Sequence, residues 1–111
     1  MAENKEGEAK MAQLQLLQQN LQGLLVQKQQ FQMQFNEIES ALKETKDAQK
    51  VYKIIGNIMV LSTQTDIEKD LNEKREVVEL RIKNIETQEE RLRKKAEELQ
   101  KEVMQDLKKD K

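Results

Sequence analysis

The chain has 111 residues, of which 36% are hydrophobic and 37% are charged. Globular domains contain roughly 45–50% apolar and about 25% charged residues, so a compact globular core is not expected. The 20 basic and 21 acidic residues leave a net charge of −1, which provides no overall field to attract nucleic acid or an anionic membrane. The absence of cysteine excludes disulfides and thiolate sites.

Residues 1–10 do not have the pattern of a signal peptide. Residues 1–10 are polar and charged, and they lack the apolar region of a signal peptide. No apolar run approaches the ~20 residues that a membrane span needs. We therefore expect a soluble, cytoplasmic protein that binds neither membrane nor nucleic acid.

Residues from about 10 to 47 have the pattern of a coiled-coil helix. Apolar residues recur with alternating gaps of three and four, and only Lys28 interrupts them. This spacing is typical of a coiled coil, although the many glutamines also fit a disordered low-complexity tract. The predicted seam residues of this helix are Leu14, Leu17, Leu21, Leu24, Phe31, Phe35, Ile38 and Leu42.

Residues 50–63 predict a single β-hairpin. Gly56-Asn57 tolerates the positive φ of a two-residue turn, which places Ile55 opposite Ile58. Alternation along the strands then leaves both faces apolar, and an isolated hairpin is marginal in water. We therefore expect it to complete a larger sheet with other chains. The predicted interface residues are Val51, Tyr52, Ile54, Ile55, Ile58, Met59, Val60 and Leu61.

A second helix is predicted over about residues 65–108. Thr65 and Glu68 have the spacing of a capping box at its start. A strict heptad stripe consists of Leu71, Val78, Ile85, Leu92 and Leu99, and a weaker stripe consists of Arg75, Ile82, Glu89, Ala96 and Val103.

A short hairpin makes the two helices antiparallel, and the stripes predict their register. Residues equally distant from the Gly56-Asn57 turn, such as Leu42 and Leu71, both fall on the seam. Registers displaced by a heptad also match the stripes but need unequal connectors. The predicted fold is mainly α: one domain over 1–111, a long antiparallel two-helix coiled coil with a single β-hairpin at the connection.

Catalysis and metal binding are poorly supported. The chain has no histidine, cysteine or Gly-rich phosphate loop, and its carboxylates are predicted to lie on solvated helix faces. A two-helix hairpin offers no concave pocket in which pKa values are tuned. We expect no enzyme, no metal and no cofactor.

A basic run late in the second helix allows two interpretations. Arg91, Arg93, Lys94 and Lys95 could contact phosphates, as in the coiled-coil arms of some RNA-binding enzymes. Glu90 lies four residues before Lys94, so a solvated, salt-bridged helix face is the better interpretation.

The order helix, single hairpin, helix resembles the beta subunits of the prefoldin family from about residue 11 to 107. The resemblance rests on Val51-Tyr52-Lys53 and Gly56-Asn57 in the hairpin, and on Gln88-Glu89-Glu90-Arg91-Leu92 in the second helix. Alpha subunits of the family carry two hairpins and are longer. The resemblance implies a hexamer of two alpha-type and four beta-type chains whose hairpins assemble into an intersubunit β-barrel. It also implies ATP-independent capture of unfolded proteins and their delivery to a group II chaperonin.

The end of the coiled coil opposite the hairpin is the expected client-binding tip. The antiparallel register brings apolar residues together there, and fraying could expose the seam, although the seam could also simply continue. Methionine suits a surface that binds varied partners. The candidate tip residues are Met11, Leu14, Leu16, Leu99, Val103, Met104 and Leu107. Two functions remain open: a holdase chaperone, or a structural coiled-coil spacer or filament component.

Overall fold

The computed structural model describes residues 2–109, with side-chain surroundings for residues 5–108. Its elements are α1 (Ala2–Asp47), β1 (Val51–Ile55), β2 (Ile58–Ser62) and α2 (Gln64–Lys109). Two long helices flanking one hairpin confirm the predicted fold class. The chain separates into two compact units: Gln29–Lys83, called here the hairpin unit, and Met1–Lys28 with Asn84–Lys111, called the terminal unit.

Helix α1 begins at Ala2, well before the predicted start at about residue 10. The sequence before residue 10 is polar, so it has no seam pattern, but most of its residues are good helix formers. Glu6 precedes Lys10 by one helical turn, which is the favourable order of charges along a helix. A helix therefore continues beyond the stretch in which apolar spacing makes it visible in the sequence.

The start of α2 differs from the predicted capping box. The backbone N–H of Asp66 donates to Thr63 Oγ1 over 3.2 Å, so the N-cap is Thr63 and the prediction of Thr65 was wrong. Strand β2 ends at Ser62, and the helix begins almost immediately after it. Asp66 then lies in the first turn, where the helix dipole favours a negative charge.

The first residue of α2 also satisfies the end of α1. The side-chain amide of Gln64 donates to the carbonyl oxygen of Thr45 over 3.0 Å and to that of Ala48. The last carbonyls of a helix have no partner within the helix, so a side-chain donor at this point stabilises its end. This contact holds the two helix ends together on either side of the hairpin.

The core of the hairpin unit is a narrow seam between its two helical segments. Leu42 and Val78 are buried, as is Thr45, whose hydroxyl donates to Ala41 O over 2.7 Å. Charged side chains cover this seam from its rim. Arg75 pairs with Glu39 over 3.0 Å, and the guanidinium of Arg81 lies 5.5 Å from the ring centre of Phe31. The predicted seam residues of this unit that are half-buried are Phe31, Phe35, Ile38, Leu71 and Ile82.

In the terminal unit the seam contains charge as well as apolar side chains. Ile85 and Val103 are buried, and so is Glu89. The predicted seam residues that are half-buried in this unit are Leu14, Leu17, Leu21, Leu24, Leu92 and Leu99. Lys28 is also half-buried, which indicates that a charged side chain occupies one layer of the seam.

Contacts within each unit agree with the symmetric antiparallel register. Glu39 meets Arg75 in the hairpin unit, and these residues are almost equally distant from the turn. Lys10 meets Glu102 and Asp106 in the terminal unit. A displacement by one heptad in either direction would move Arg75 away from Glu39, and Glu102 away from Lys10, by at least six residues, which is about 9 Å along a helix.

Candidate functional site

The hairpin has the predicted pairing. Ile55 lies opposite Ile58, and the antiparallel ladder continues to Val51 opposite Ser62. Gly56 has a φ of +61°, and no other residue among those described has a positive φ. A positive φ at the first central residue alone fits a type II′ turn, whose twist matches that of the flanking strands.

The hairpin is apolar and exposed on both of its faces. Exposure of its large apolar side chains from residue 52 to 61 ranges from 43% at Val60 to 70% at Ile54. Val51, at the start of β1, is half-buried. The structure thus places most predicted interface residues in solvent: Tyr52, Ile54, Ile55, Ile58, Met59, Val60 and Leu61. A cluster of this kind is typical of an interaction site.

Lys53 links the hairpin to α2. Its Nζ lies 2.7 Å from Oδ2 of Asp70. The hydrogen bond to Asp70 and the attraction of its charge raise the pKa of Lys53, and the same hydrogen bond lowers the pKa of Asp70. The strand and heptad patterns do not predict this pair. The signal in the sequence is that Lys53 is the one charged residue within the two strands.

The terminal unit contains an ion pair inside its seam. Lys28 Nζ lies 3.0 Å from Oε1 of Glu89, whose side chain is 9% exposed. Lys28 and Glu89 lie on the two predicted stripes, but the heptad pattern does not pair them. The signal in the sequence is the opposite charge of these two residues, which lie on facing stripes about one helical turn apart.

The predicted client-binding residues fall into two groups in the terminal unit. Leu14 and Leu99 are half-buried and Val103 is buried, so these three belong to the seam of the closed coiled coil. They become accessible only where the helices separate. The other predicted tip residues are between 48% and 62% exposed: Met11, Leu16, Met104 and Leu107.

Lys10 joins the two helical segments beside these exposed residues. Its Nζ lies 2.9 Å from Oδ2 of Asp106 and 3.6 Å from Oε2 of Glu102. The hydrogen bond to Asp106 is the largest cause that raises the pKa of Lys10. The ion pair joins the two helical segments next to Met11 and Leu107, and it therefore opposes separation of the helices there.

The two helices of the terminal unit have very different surfaces. Residues 11–27 of α1 include no charged side chain, and their exposed positions hold mainly glutamine with single apolar residues such as Leu16 and Val26. The exposed face of α2 in this unit is rich in charge. It includes the predicted pair of Glu90 and Lys94, which the structure confirms at 3.5 Å.

The described residues contain neither a candidate metal site nor a candidate membrane span. No cluster of His, Cys, Asp or Glu within residues 5–108 has an arrangement that holds a metal ion. In the part of the chain that the structure describes, neither helix has a stretch both long and apolar enough to cross a membrane.

Comparisons with known proteins identify the family. The family model described as prefoldin subunit matches residues 8–110. A prefoldin subunit beta of Archaeoglobus fulgidus is 43% identical over 93 residues, which cover 81% of this chain and 80% of that protein. A prefoldin subunit beta of Saccharolobus islandicus is 38% identical over 108 residues, which cover 94% of this chain and 85% of the relative.

A solved structure agrees with these sequence matches. The crystal structure of the prefoldin beta subunit from Thermococcus strain KS-1 is similar with a TM-score of 0.86 and 33% sequence identity, and the match covers 90% of each chain. Prefoldin subunits are chaperone subunits and not enzymes. The fold, the exposed hairpin and these matches together show that the chain belongs to the prefoldin family, where its relatives are beta subunits.

Proposed function

We propose that this chain is a subunit of an ATP-independent holdase chaperone. Its hairpin joins those of alpha-type subunits and further beta copies in an intersubunit β-barrel, which gives a hetero-hexamer. Its terminal unit binds unfolded proteins, which the assembly delivers to a group II chaperonin. The alpha partner and the chaperonin are implied by the family resemblance, and no residue of this chain is assigned to the chaperonin.

The observation that carries this proposal is the exposure of both faces of the hairpin. A two-stranded sheet with apolar residues such as Ile54 and Met59 in water is stable only if more strands or another surface cover it. Its edges also present unpaired backbone groups that bind further strands. A closed barrel built from several hairpins satisfies both requirements, because closure removes the sheet edges.

Client capture is assigned to the predicted tip residues of the terminal unit. Four of them are exposed, namely Met11, Leu16, Met104 and Leu107, and Leu14, Leu99 and Val103 join them where the helices fray. Each contact is weak, but several subunits that bind one client together gain avidity without nucleotide. Methionine adapts to differently shaped apolar segments because it is flexible and polarisable.

The uncharged surface of α1 supports the same assignment. A holdase meets clients of either net charge, and a charged face repels those that carry the same sign. Residues 11–27 of α1 present amides and single apolar side chains instead. Amide side chains both donate and accept hydrogen bonds, so they can pair with the exposed backbone of an unfolded chain.

A light-scattering assay separates this function from that of a coiled-coil spacer. The chain is assembled with an alpha-type prefoldin subunit and added to an aggregating client protein. A holdase suppresses the scattering without ATP, whereas a spacer leaves it unchanged.

A charge in the hairpin tests whether assembly is required. Met59→Asp places a carboxylate in the proposed barrel, where an unpaired charge is strongly unfavourable. We expect loss of the oligomer on sizing, loss of scattering suppression and retention of helical circular dichroism. Met33→Asp is the matched control, since Met33 on α1 is 64% exposed and Met59 is 65% exposed. An oligomer that survives Met59→Asp would show that the hairpin is not the interface.

A further inference from the structure

The hairpin combines a strongly apolar surface with a single charge. Lys53 lies in the middle of β1, opposite Val60 of β2, and the remaining residues of both strands are uncharged. A lysine on an exposed strand is a known means of preventing unwanted sheet pairing, because its burial without a partner is unfavourable. When the hairpin joins the correct oligomer, the charge of Lys53 must nevertheless have a partner.

Asp70 of the same chain is the partner of this charge. Its carboxylate lies on α2, 2.7 Å from the Lys53 ammonium group, and the two side chains are 49% and 37% exposed. In the free chain, solvent screens this pair and makes its contribution to stability small. When a barrel covers the hairpin, water is removed and the presence of the partner becomes decisive, since a desolvated charge without a counter-ion is strongly unfavourable.

The surroundings of the pair favour its ionised form. Lys69 and Lys74 lie near Asp70, and their charges add to the effect of Lys53 in lowering the pKa of the Asp70 carboxyl group. Asp66 adds its negative charge on the side of Lys53. These neighbouring charges therefore favour the ionised forms of both Lys53 and Asp70.

We infer that the Lys53–Asp70 pair determines the specificity of hairpin assembly. A sheet in which each hairpin stays against its own α2 keeps Lys53 paired. A sheet formed by displaced hairpins, or by other apolar strands, buries Lys53 without Asp70 and is disfavoured. This inference rests on the proposed barrel. The pair favours the correct oligomer over unspecific aggregates.

The test uses four variants of the full chain assembled with an alpha-type subunit. Asp70→Asn leaves Lys53 unpaired, and we expect about tenfold weaker assembly, equivalent to roughly 1.4 kcal/mol. Lys53→Met removes the charge, so the oligomer forms but heavier species appear beside it on sizing with light scattering. The double variant Lys53→Met/Asp70→Asn behaves like Lys53→Met. The exchanged pair Lys53→Asp/Asp70→Lys restores a single oligomer.

A second ion pair of the hairpin unit serves as the control. Glu39 and Arg75 have a separation of 3.0 Å and are similarly exposed, but both lie on the helices. Glu39→Gln is expected to leave the distribution of masses unchanged. Circular dichroism of each variant confirms that its helices are retained.

The outcomes separate this inference from the proposed function. If Met59→Asp abolishes the oligomer but Asp70→Asn and Lys53→Met both give the wild-type distribution, the barrel stands and the role of the pair is wrong. Equal losses in Asp70→Asn and Glu39→Gln would likewise overturn it, because any surface charge would then have the same effect. Failure of Met59→Asp to change the oligomer would overturn the proposed function itself.

Discussion

The hairpin unit and the terminal unit expose apolar side chains in different ways. In the hairpin unit most of these side chains lie together on one small sheet between Tyr52 and Leu61, and only a few, such as Met33 and Leu80, stand singly on its helices. In the terminal unit they stand singly on long helices among glutamines, as Leu16 and Val26 do. A continuous cluster needs a fixed, complementary partner, whereas dispersed residues can contact many different sequences weakly.

The seams of the two units differ as well. In the hairpin unit the buried residues, Leu42, Val78 and Thr45, are all uncharged, and charged side chains such as Arg75 cover the rim. In the terminal unit Glu89 is 7% exposed within the seam and is paired with Lys28. A buried ion pair adds little net stability compared with apolar residues, but its removal on one side leaves a charge without a partner. The terminal unit therefore depends more on charge.

The largest single loss of stability is expected from a substitution in one of these ion pairs. Glu89→Leu leaves Lys28 in the seam without its carboxylate, so the free energy of unfolding should fall by about 2 kcal/mol. Lys28→Leu/Glu89→Leu should recover this loss. In the hairpin unit, Glu39→Leu breaks a more exposed pair and should change stability by about 0.5 kcal/mol or less. Urea denaturation measures all three, and equal losses in Glu89→Leu and Glu39→Leu would contradict the distinction between the seams.

A pair of glycine substitutions should have opposite effects in the two units. An alanine Cβ at Gly23 or at Gly56 meets no atom within 4 Å, so the two sites differ in backbone conformation and not in space. Gly23→Ala lies within a helix and should stabilise the chain by about 1 kcal/mol. Gly56→Ala must adopt a φ of +61° and should destabilise it by about 1 kcal/mol. Thermal unfolding of both variants tests this, and a change of the same sign in both would show that the backbone account is incomplete.

A smaller difference between the units is expected in how pH changes their contributions to the stability of the chain. The lowered pKa of Asp70 stabilises the folded chain above the ordinary aspartate pKa of ~3.9, and this contribution is lost as pH falls through the lowered value. The raised pKa values of Lys53 and Lys10 stabilise the folded chain at pH values below the ordinary lysine pKa of ~10.4. This contribution is lost as the pH rises through the raised pKa values.

Melting temperatures across pH test this expectation. Because Lys53, Asp70 and Lys10 are well solvated, the changes should be small. Asp70→Asn should melt slightly below wild type near neutral pH, and the difference should shrink below about pH 4 as Asp70 is protonated in the wild type. A difference that grew as the pH fell would have the wrong sign for the lowered pKa of Asp70.

The sequence predicts the regular parts of the molecule well. The alternating gaps of three and four, and the two-residue turn at Gly56-Asn57, are local signals with fixed periods, and the structure confirms the coiled coil and the hairpin pairing. The cap of α2 was assigned to the wrong threonine. Thr63 and Thr65 are each followed three residues later by an acidic residue, and the contact of Gln64 with the end of α1 favours the earlier start.

The ion pairs could not be predicted from the seam pattern alone. Lys28 lies opposite Ile85 in the symmetric register, but its long side chain reaches Glu89 one helical turn away. Lys53 similarly reaches beyond its strand to Asp70 on α2. Such contacts depend on the reach and direction of a side chain, which the spacing of residues in a sequence does not specify. The exposure of the candidate tip residues could not be predicted either. Val103 is apolar like the other predicted tip residues, but it is buried.

The central claim is that the hairpin unit assembles the oligomer and the terminal unit captures clients. A variant with the exposed tip residues replaced, Met11→Gln/Leu16→Gln/Met104→Gln/Leu107→Gln, tests it most directly, because glutamine is a good helix former without charge. The matched control replaces exposed residues on the helices of the hairpin unit with glutamine: Met33, Val77 and Leu80.

Both variants are assembled with an alpha-type subunit, sized, and then compared for suppression of light scattering by an aggregating client. We predict that the tip variant forms the wild-type oligomer and no longer suppresses aggregation, while the control variant does both. A tip variant that protects the client as well as wild type, or a control variant that loses protection to the same extent, would contradict the division of function between the two units.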